Sequence, residues 1–210
     1  MPEPTEAPIR PVRIGDRAPN FRARTTLGDC ALSDYRGRWL LFFSHPADFT
    51  PVCTTEFLAL SRAADRFAAL NCALLGLSVD SLYAHLAWVR AIRQAFDTEI
   101  AFPIVEDPSM AIGRAFGMID DRSADSMAMR STFFIDPSGI VRAITCYPHN
   151  VGRSVDEMIR LLQALQHVSA SDRLAPEGWQ PGDPTLAPPP ATAEGADDEP
   201  DWFCRYRNDR

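Results

Sequence analysis

Cys53 is the residue in this chain whose surroundings point most directly to chemistry. It stands in Thr50-Pro51-Val52-Cys53-Thr54-Thr55-Glu56. Thr50 suits a helix N-cap and Pro51 the first helical position, where a missing N–H costs nothing. Cys53 then falls at about the third helical residue. There the free backbone N–H groups and the positive end of the helix dipole favour a thiolate over a thiol. The elements needed to hold it are legible on either side. The continuous apolar run Trp39-Leu40-Leu41-Phe42-Phe43 predicts a buried strand, and the stripe Phe57, Leu60, Ala64 and Phe67 predicts a helix ending near Asn71. A strand that delivers one cysteine to the mouth of a helix is a reactive-thiol arrangement.

Composition narrows the classes open to such a thiol. The chain has 210 residues, 46% of them hydrophobic and 23% charged, enough for one domain with an appendage. Its net charge is −7 and it has no run rich in basic residues, which argues against nucleic acid or an anionic membrane as partner. All 21 basic residues are Arg. Residues 1–11 lack the apolar core of a signal peptide, and no stretch approaches the ~20 apolar residues of a membrane span. The five cysteines, Cys30, Cys53, Cys72, Cys146 and Cys204, show neither CxxC pairs nor zinc-ligand spacing. A cytoplasmic, reducing compartment is expected, with no metal and no cofactor.

The remaining pattern is α/β. After a flexible arm, 1–12, Gly15-Asp16-Arg17-Ala18-Pro19-Asn20-Phe21 opens the domain, and Phe21, Ala23 and Thr25 alternate as a strand. Cys72 to Val79 and Phe102 to Asp107 read as strands. Between them Leu82, Leu86, Val89, Ile92 and Phe96 have helical spacing. Met110 to Phe116 predicts a short helix closed by Gly117. Thr132 to Ile135 and Ile140 to Cys146 read as strands joined by the turn Pro137-Ser138-Gly139. A last helix has Val155, Met158, Ile159, Leu162 and Leu165 on its core face. Strands alternating with helices predict a sheet with helices on its faces, filling residues 13–170. Cys30 reads as a turn or strand-edge thiol, and Cys72 and Cys146, inside apolar strands, as passive. Residues 171–210, with seven prolines, form an extension expected to pack on a second subunit through Trp179, Trp202 and Phe203.

Pro46-x-x-x-Thr50-x-x-Cys53 resembles the active-site signature of the peroxiredoxins, and the string Ser44 to Thr55 is similar to their 1-Cys subfamily in particular. Gly15-Asp16-x-Ala18-Pro19-x-Phe21 is similar to the family's entry segment. The resemblance implies a thioredoxin-like central mixed sheet flanked by helices, with the C-terminal extension acting as a dimerisation arm. It implies a thiol-dependent peroxidase that reduces hydrogen peroxide and organic hydroperoxides through a sulfenic acid on Cys53. It places the family's active-site arginine on Arg130, a cation that cannot deprotonate beside a thiolate, and gives a second candidate in Arg153 of the Tyr147-Pro148…Gly152-Arg153 segment. Thr50 then offers its hydroxyl to the thiolate or the peroxide, and Pro46 shields the sulfur. Glu56 is placed to hold Arg130 or Arg153, with His45 beside the site. The oxidised sulfur is reduced either by Cys204 as a resolving thiol or directly by an external thiol, thioredoxin-like or of low molecular weight. Microbial relatives with a similar tail carry a further cysteine where this chain has Asp198. The serine of the phospholipase motif found in some 1-Cys relatives is missing from Tyr35-Arg36-Gly37-Arg38-Trp39. A homodimer, with a decamer as the further assembly, is the expected state. A ring-forming holdase or redox sensor using the same thiol is the alternative.

Overall fold

The computed structural model describes residues 10–119, 126–197 and 200–208, with only the backbone at 196–197. Most of the expected N-terminal arm, part of the loop before Arg130, and Asp198 lie outside them. The chain divides into two compact units, one up to Val155 and one from Asp156 onward.

The first unit is built on a mixed seven-stranded sheet. Its strands are β1 (Arg22–Thr25), β2 (Gly28–Ala31), β3 (Trp39–Ser44), β4 (Cys72–Ser78), β5 (Ile104–Glu106), β6 (Arg130–Ile135) and β7 (Val141–Tyr147), in the order β2-β1-β5-β4-β3-β6-β7. β3 pairs parallel with β4 and antiparallel with β6. All six residues of β3 and all six of β6 are buried, which is why both read as unbroken runs rather than as alternating strands. The helices are α1 (Pro51–Arg62), α2 (Ala64–Ala69), α3 (Leu82–Phe96) and α4 (Ala111–Ala115). Phe42, Phe116 and Phe133 pack edge to face on one side of the sheet with Leu75, Leu77 and Val141. Phe43, Phe57, Phe102 and Trp88 make a second aromatic cluster around α1 and α3.

Three expectations change. The helix predicted to run to Asn71 breaks at Ala63, whose N–H is shared between Ala59 O and Leu60 O at 3.1 and 3.2 Å. This tightened three-centre turn interrupts the ladder without proline or glycine. On α3 the buried stripe is His85, Trp88 and Ile92, whereas Leu86 and Phe96 are exposed. Side-chain polarity misplaced that face, because His85 is buried against a carboxylate. Cys146 is exposed on the edge strand β7, while Cys72 is buried in the sheet interior.

Register assembles the functional end of the sheet. In the β3–β6 pairing Phe43 faces Thr132, so Arg130, at the start of β6, lies beyond the C-terminal end of β3. On its other side Arg130 pairs with Tyr147, from which the chain runs to His149 and Arg153. The loop from His45 to Thr50 leaves β3 at that same end. Open sheets with parallel strands place their ligand sites beyond these carboxyl ends.

The second unit contains α5 (Val155–Ser169, from Asp156 onward), β8 (Thr185–Leu186), α6 (Ala193–Asp197) and β9 (Tyr206–Arg207). β8 and β9 pair antiparallel. Trp179 is buried, 4.9 Å from the His167 ring, and donates its indole N–H to Asp183 O at 3.1 Å. The proline-rich stretch is therefore tied down locally, beyond what its composition indicates. Trp202 and Phe203 pack edge to face, with Phe203 well exposed. No described helix is long and apolar enough to cross a membrane.

Candidate active site

Cys53 is the third residue of α1, as its spacing from Pro51 demands, and is fully buried. α1 turns Cys53, Glu56, Phe57 and Leu60 inward. Thr50 holds the N-cap position with extended backbone (φ −97°, ψ 148°), but its side chain does not cap. Its hydroxyl instead donates to Ala47 O at 2.8 Å and closes the preceding turn. With that proton engaged, the lone pairs of Thr50 Oγ1 are what it can still offer a ligand. Pro46 is buried in the same loop.

Arg130, 2% exposed, brings the site together. Its Nη1 donates to Cys53 Sγ at 3.4 Å and to Glu56 Oε2 at 2.8 Å, while Nε and Nη2 donate to His149 O at 2.9 and 2.7 Å. A guanidinium N–H donated to sulfur binds the thiolate more strongly than the thiol. Glu56 does not choose between the two arginines. It bridges them, accepting from Arg153 N, Nε and Nη2 at 2.8, 2.9 and 2.8 Å. Arg153 in turn donates to Ser131 O and Thr132 Oγ1 and lies over the Phe43 ring at 5.4 Å. Burial alone would push the Glu56 carboxyl up, but the hydrogen bonds and charge of Arg153, then the charge of Arg130, outweigh it and hold it below its ordinary range.

His45 is buried and does not pair with the thiol. Its Nε2 bonds Asp48 Oδ1 at 2.9 Å, and the other carboxylate oxygen receives His85 Nδ1 at 2.7 Å. Asp48 and His85 were not legible as site residues. The available signal was His85 in phase with Trp88 and Ile92, a polar residue on the stripe that the core claims. Cys204 belongs to the second unit, is exposed, and donates its backbone N–H to Asp201 O at 2.9 Å. Two other thiols are disfavoured as nucleophiles. Burial pushes Cys72 up to about 12, and burial also raises Cys30. A groove of about 410 Å³ lined by Phe49, Thr50, Pro51, Thr54, Trp88 and Phe96 runs along α1, and Cys53 does not line it.

A buried cysteine on a helix start, held by a guanidinium at the carboxyl end of a mixed sheet, defines a thiol oxidoreductase of thioredoxin-like fold. Residues 14–144 match the AhpC/TSA family and residues 164–200 match the C-terminal domain of 1-Cys peroxiredoxin. The chain belongs to this family, the peroxiredoxins, which are thiol-dependent peroxidases. It is 48% identical over 180 residues to peroxiredoxin 2 of Caldanaerobacter subterraneus subsp. tengcongensis, covering 86% of this chain and 81% of that one. It is 46% identical over 186 residues to peroxiredoxin 2 of Picrophilus torridus, covering 89% and 92%. Among solved structures, yeast mitochondrial 1-Cys peroxiredoxin is similar with a TM-score of 0.80 and 36% identity, covering 89% of this chain and 92% of that one. A cysteine-to-serine mutant of peroxiredoxin 6 of Arenicola marina gives a TM-score of 0.80 with 29% identity, covering 89% and 88%.

Proposed function

We propose that Cys53 is the peroxidatic residue and that it reduces hydrogen peroxide and organic hydroperoxides. The observation that carries this is the Arg130 Nη1 donor, 3.4 Å from the sulfur and fixed by Glu56 and His149 O. The Cys53 thiolate attacks the terminal peroxide oxygen. An S–O bond forms, the O–O bond breaks, and its electron pair leaves on the hydroxide or alkoxide, which then takes a proton from water. Cys53 is oxidised to the sulfenic acid and the peroxide is reduced to water or alcohol. Arg130 stabilises the charge that moves from sulfur to the departing oxygen. Thr50 Oγ1 accepts the hydrogen of the peroxide, and Pro46 keeps water off the sulfur. Arg153, through Glu56, holds Arg130 in place.

Reduction follows when a second thiol attacks the sulfenic sulfur, releases water and leaves a disulfide. Cys204, exposed, is one source of that thiol. An external thiol, thioredoxin-like or of low molecular weight, is the other. The similar yeast protein is described as resolved via glutathione and thioredoxin systems, which favours the external route. A homodimer joined through residues 171–210, able to build a decamer and working in the cytoplasm, completes the reading.

Peroxide consumption by wild type and Cys53→Ser tests it, with peptide mass spectrometry of the oxidised wild type. Loss of turnover in the variant and a trappable sulfenic acid on Cys53 are expected; undiminished turnover without Cys53 refutes the assignment. A Cys53–Cys204 crosslink selects the resolving route, and sulfenic Cys53 beside a free Cys204 selects the external one.

A further inference from the structure

Phe49 has φ +58°, a left-handed conformation that a bulky residue adopts only when its surroundings impose it. It sits directly before Thr50 and the start of α1, so whatever imposes that turn also sets the entry to Cys53. The constraint is visible at the neighbouring residue. Asp48, 8% exposed, bonds His45 through one carboxylate oxygen and His85 through the other, while its backbone N–H donates to Asp80 Oδ2 at 3.0 Å. Asp80 is itself held by the Ser78 hydroxyl at 2.7 Å. Three segments, the end of β3, the β4–α3 turn and α3, thus converge on one residue of the loop.

The protons in this trio are fixed by their partners. His85 Nδ1 faces the Asp48 carboxylate and Nε2 faces Val105 O at 3.2 Å. Both are acceptors, so the ring links the Asp48 carboxylate to β5. Burial and then the bonds from His45 and His85 pull the Asp48 carboxyl in opposite directions, the net being downward, so it stays ionised. His45, stacked on Trp88 at 5.3 Å and packed on Phe57, is held down chiefly by burial and is neutral. Its Nε2 donates to Asp48, which leaves Nδ1 bare, buried and without a hydrogen-bond partner among the described residues. The other charged groups facing the trio are Asp80 at the end of β4 and Glu106 at the end of β5. Within the trio the bonds are made by His45 Nε2, His85 Nδ1 and both Asp48 carboxylate oxygens.

We propose that His85, acting through Asp48, is a positioning residue for the peroxide site. The His85–Asp48 hydrogen bond holds the 45–50 loop in its strained turn and fixes His45 as the Nε2–H tautomer. This rests on the peroxidase reading of Cys53, but half of it can be read without peroxide. In nitrogen-15-edited spectra of the wild-type protein near neutral pH, His45 should show a protonated Nε2 and a bare Nδ1, and His85 a proton on Nδ1. His45 protonated on Nδ1, or His85 bare at Nδ1, overturns the proposal. His85→Leu should lose the His45 pattern and slow peroxide reduction between about 10- and 100-fold, the effect expected from a loop displaced by roughly 1 Å. His85→Asn keeps a donor where Nδ1 stands and should recover most of that rate. A folded His85→Leu that reacts at the wild-type rate refutes the positioning role. So do equal losses in both variants that merely track their thermal midpoints. Absent turnover in a wild type with the expected tautomers would sink the peroxidase reading instead.

Discussion

Glu56→Gln is the sharpest probe of the site because it removes a charge while keeping the shape. In the native protein the Glu56 carboxylate accepts bonds from Arg130 Nη1 at 2.8 Å and from Arg153 N, Nε and Nη2 at 2.8, 2.9 and 2.8 Å, all of them buried. An amide presents one oxygen and two N–H groups to these donors, so two guanidinium groups lose their shared anion. Removing one partner of a buried ion pair costs about 3–5 kcal/mol, which for a chain of this size lowers the thermal midpoint by on the order of 10 °C. The pH dependence carries the sign. The Glu56 carboxyl is held below its ordinary 4.5 in the folded state, so its stabilisation is present above that value and is lost as pH falls through the folded-state value. Scanning calorimetry from neutral to acid pH should show a wide gap between wild type and variant near pH 7. That gap should close progressively below about pH 4.5. Equal midpoints at neutral pH, or a gap that persists undiminished in acid, would refute the bridging role. Peroxide turnover should fall as well, since Arg130 loses the contact that aims it.

Two further outcomes follow from the same geometry. Arg130 uses Nε, Nη1 and Nη2 on three partners at once, a fork that lysine lacks; Arg130→Lys should therefore slow the reaction of Cys53 with peroxide by about 100-fold or more in stopped-flow measurements. Alkylation of the reduced native protein mapped by mass spectrometry should mark Cys146 and Cys204 first and leave Cys72 unmodified. The former two are exposed, and burial pushes Cys72 up to about 12; early labelling of Cys72 would contradict its burial.

Much of this was legible in the chain. Trp39 to Phe43 and Thr132 to Ile135 announced central strands because burial on both faces leaves no polar alternation. Thr50-Pro51 placed the helix start, and with it Cys53, because N-terminal preferences are local. The meeting of Glu56 with Arg130 and Arg153 depends on β3–β6 register and on the path of the chain after β7. Spacing alone does not encode that, and family resemblance supplied it. Asp48 and His85 escaped because a buried polar pair is invisible to a reading that equates polar with exposed; each is buried only because the other is. Thr50 misled in the opposite way: its residue type fits a cap, but its oxygen accepts no helix N–H and its hydroxyl turns back to Ala47 O.

The shared carboxylate also fixes how many anions the site tolerates. Two arginines and one glutamate leave a single positive charge buried beside Cys53, which one thiolate would balance. If Cys53 is the peroxidatic residue proposed above, turning its thiolate into an uncharged sulfenic acid leaves the enclosure one anion short. A second oxidation would restore the balance, because a sulfinic acid is ionised where a sulfenic acid is not. On that reading, the arrangement that prepares Cys53 to react once also favours its over-oxidised product.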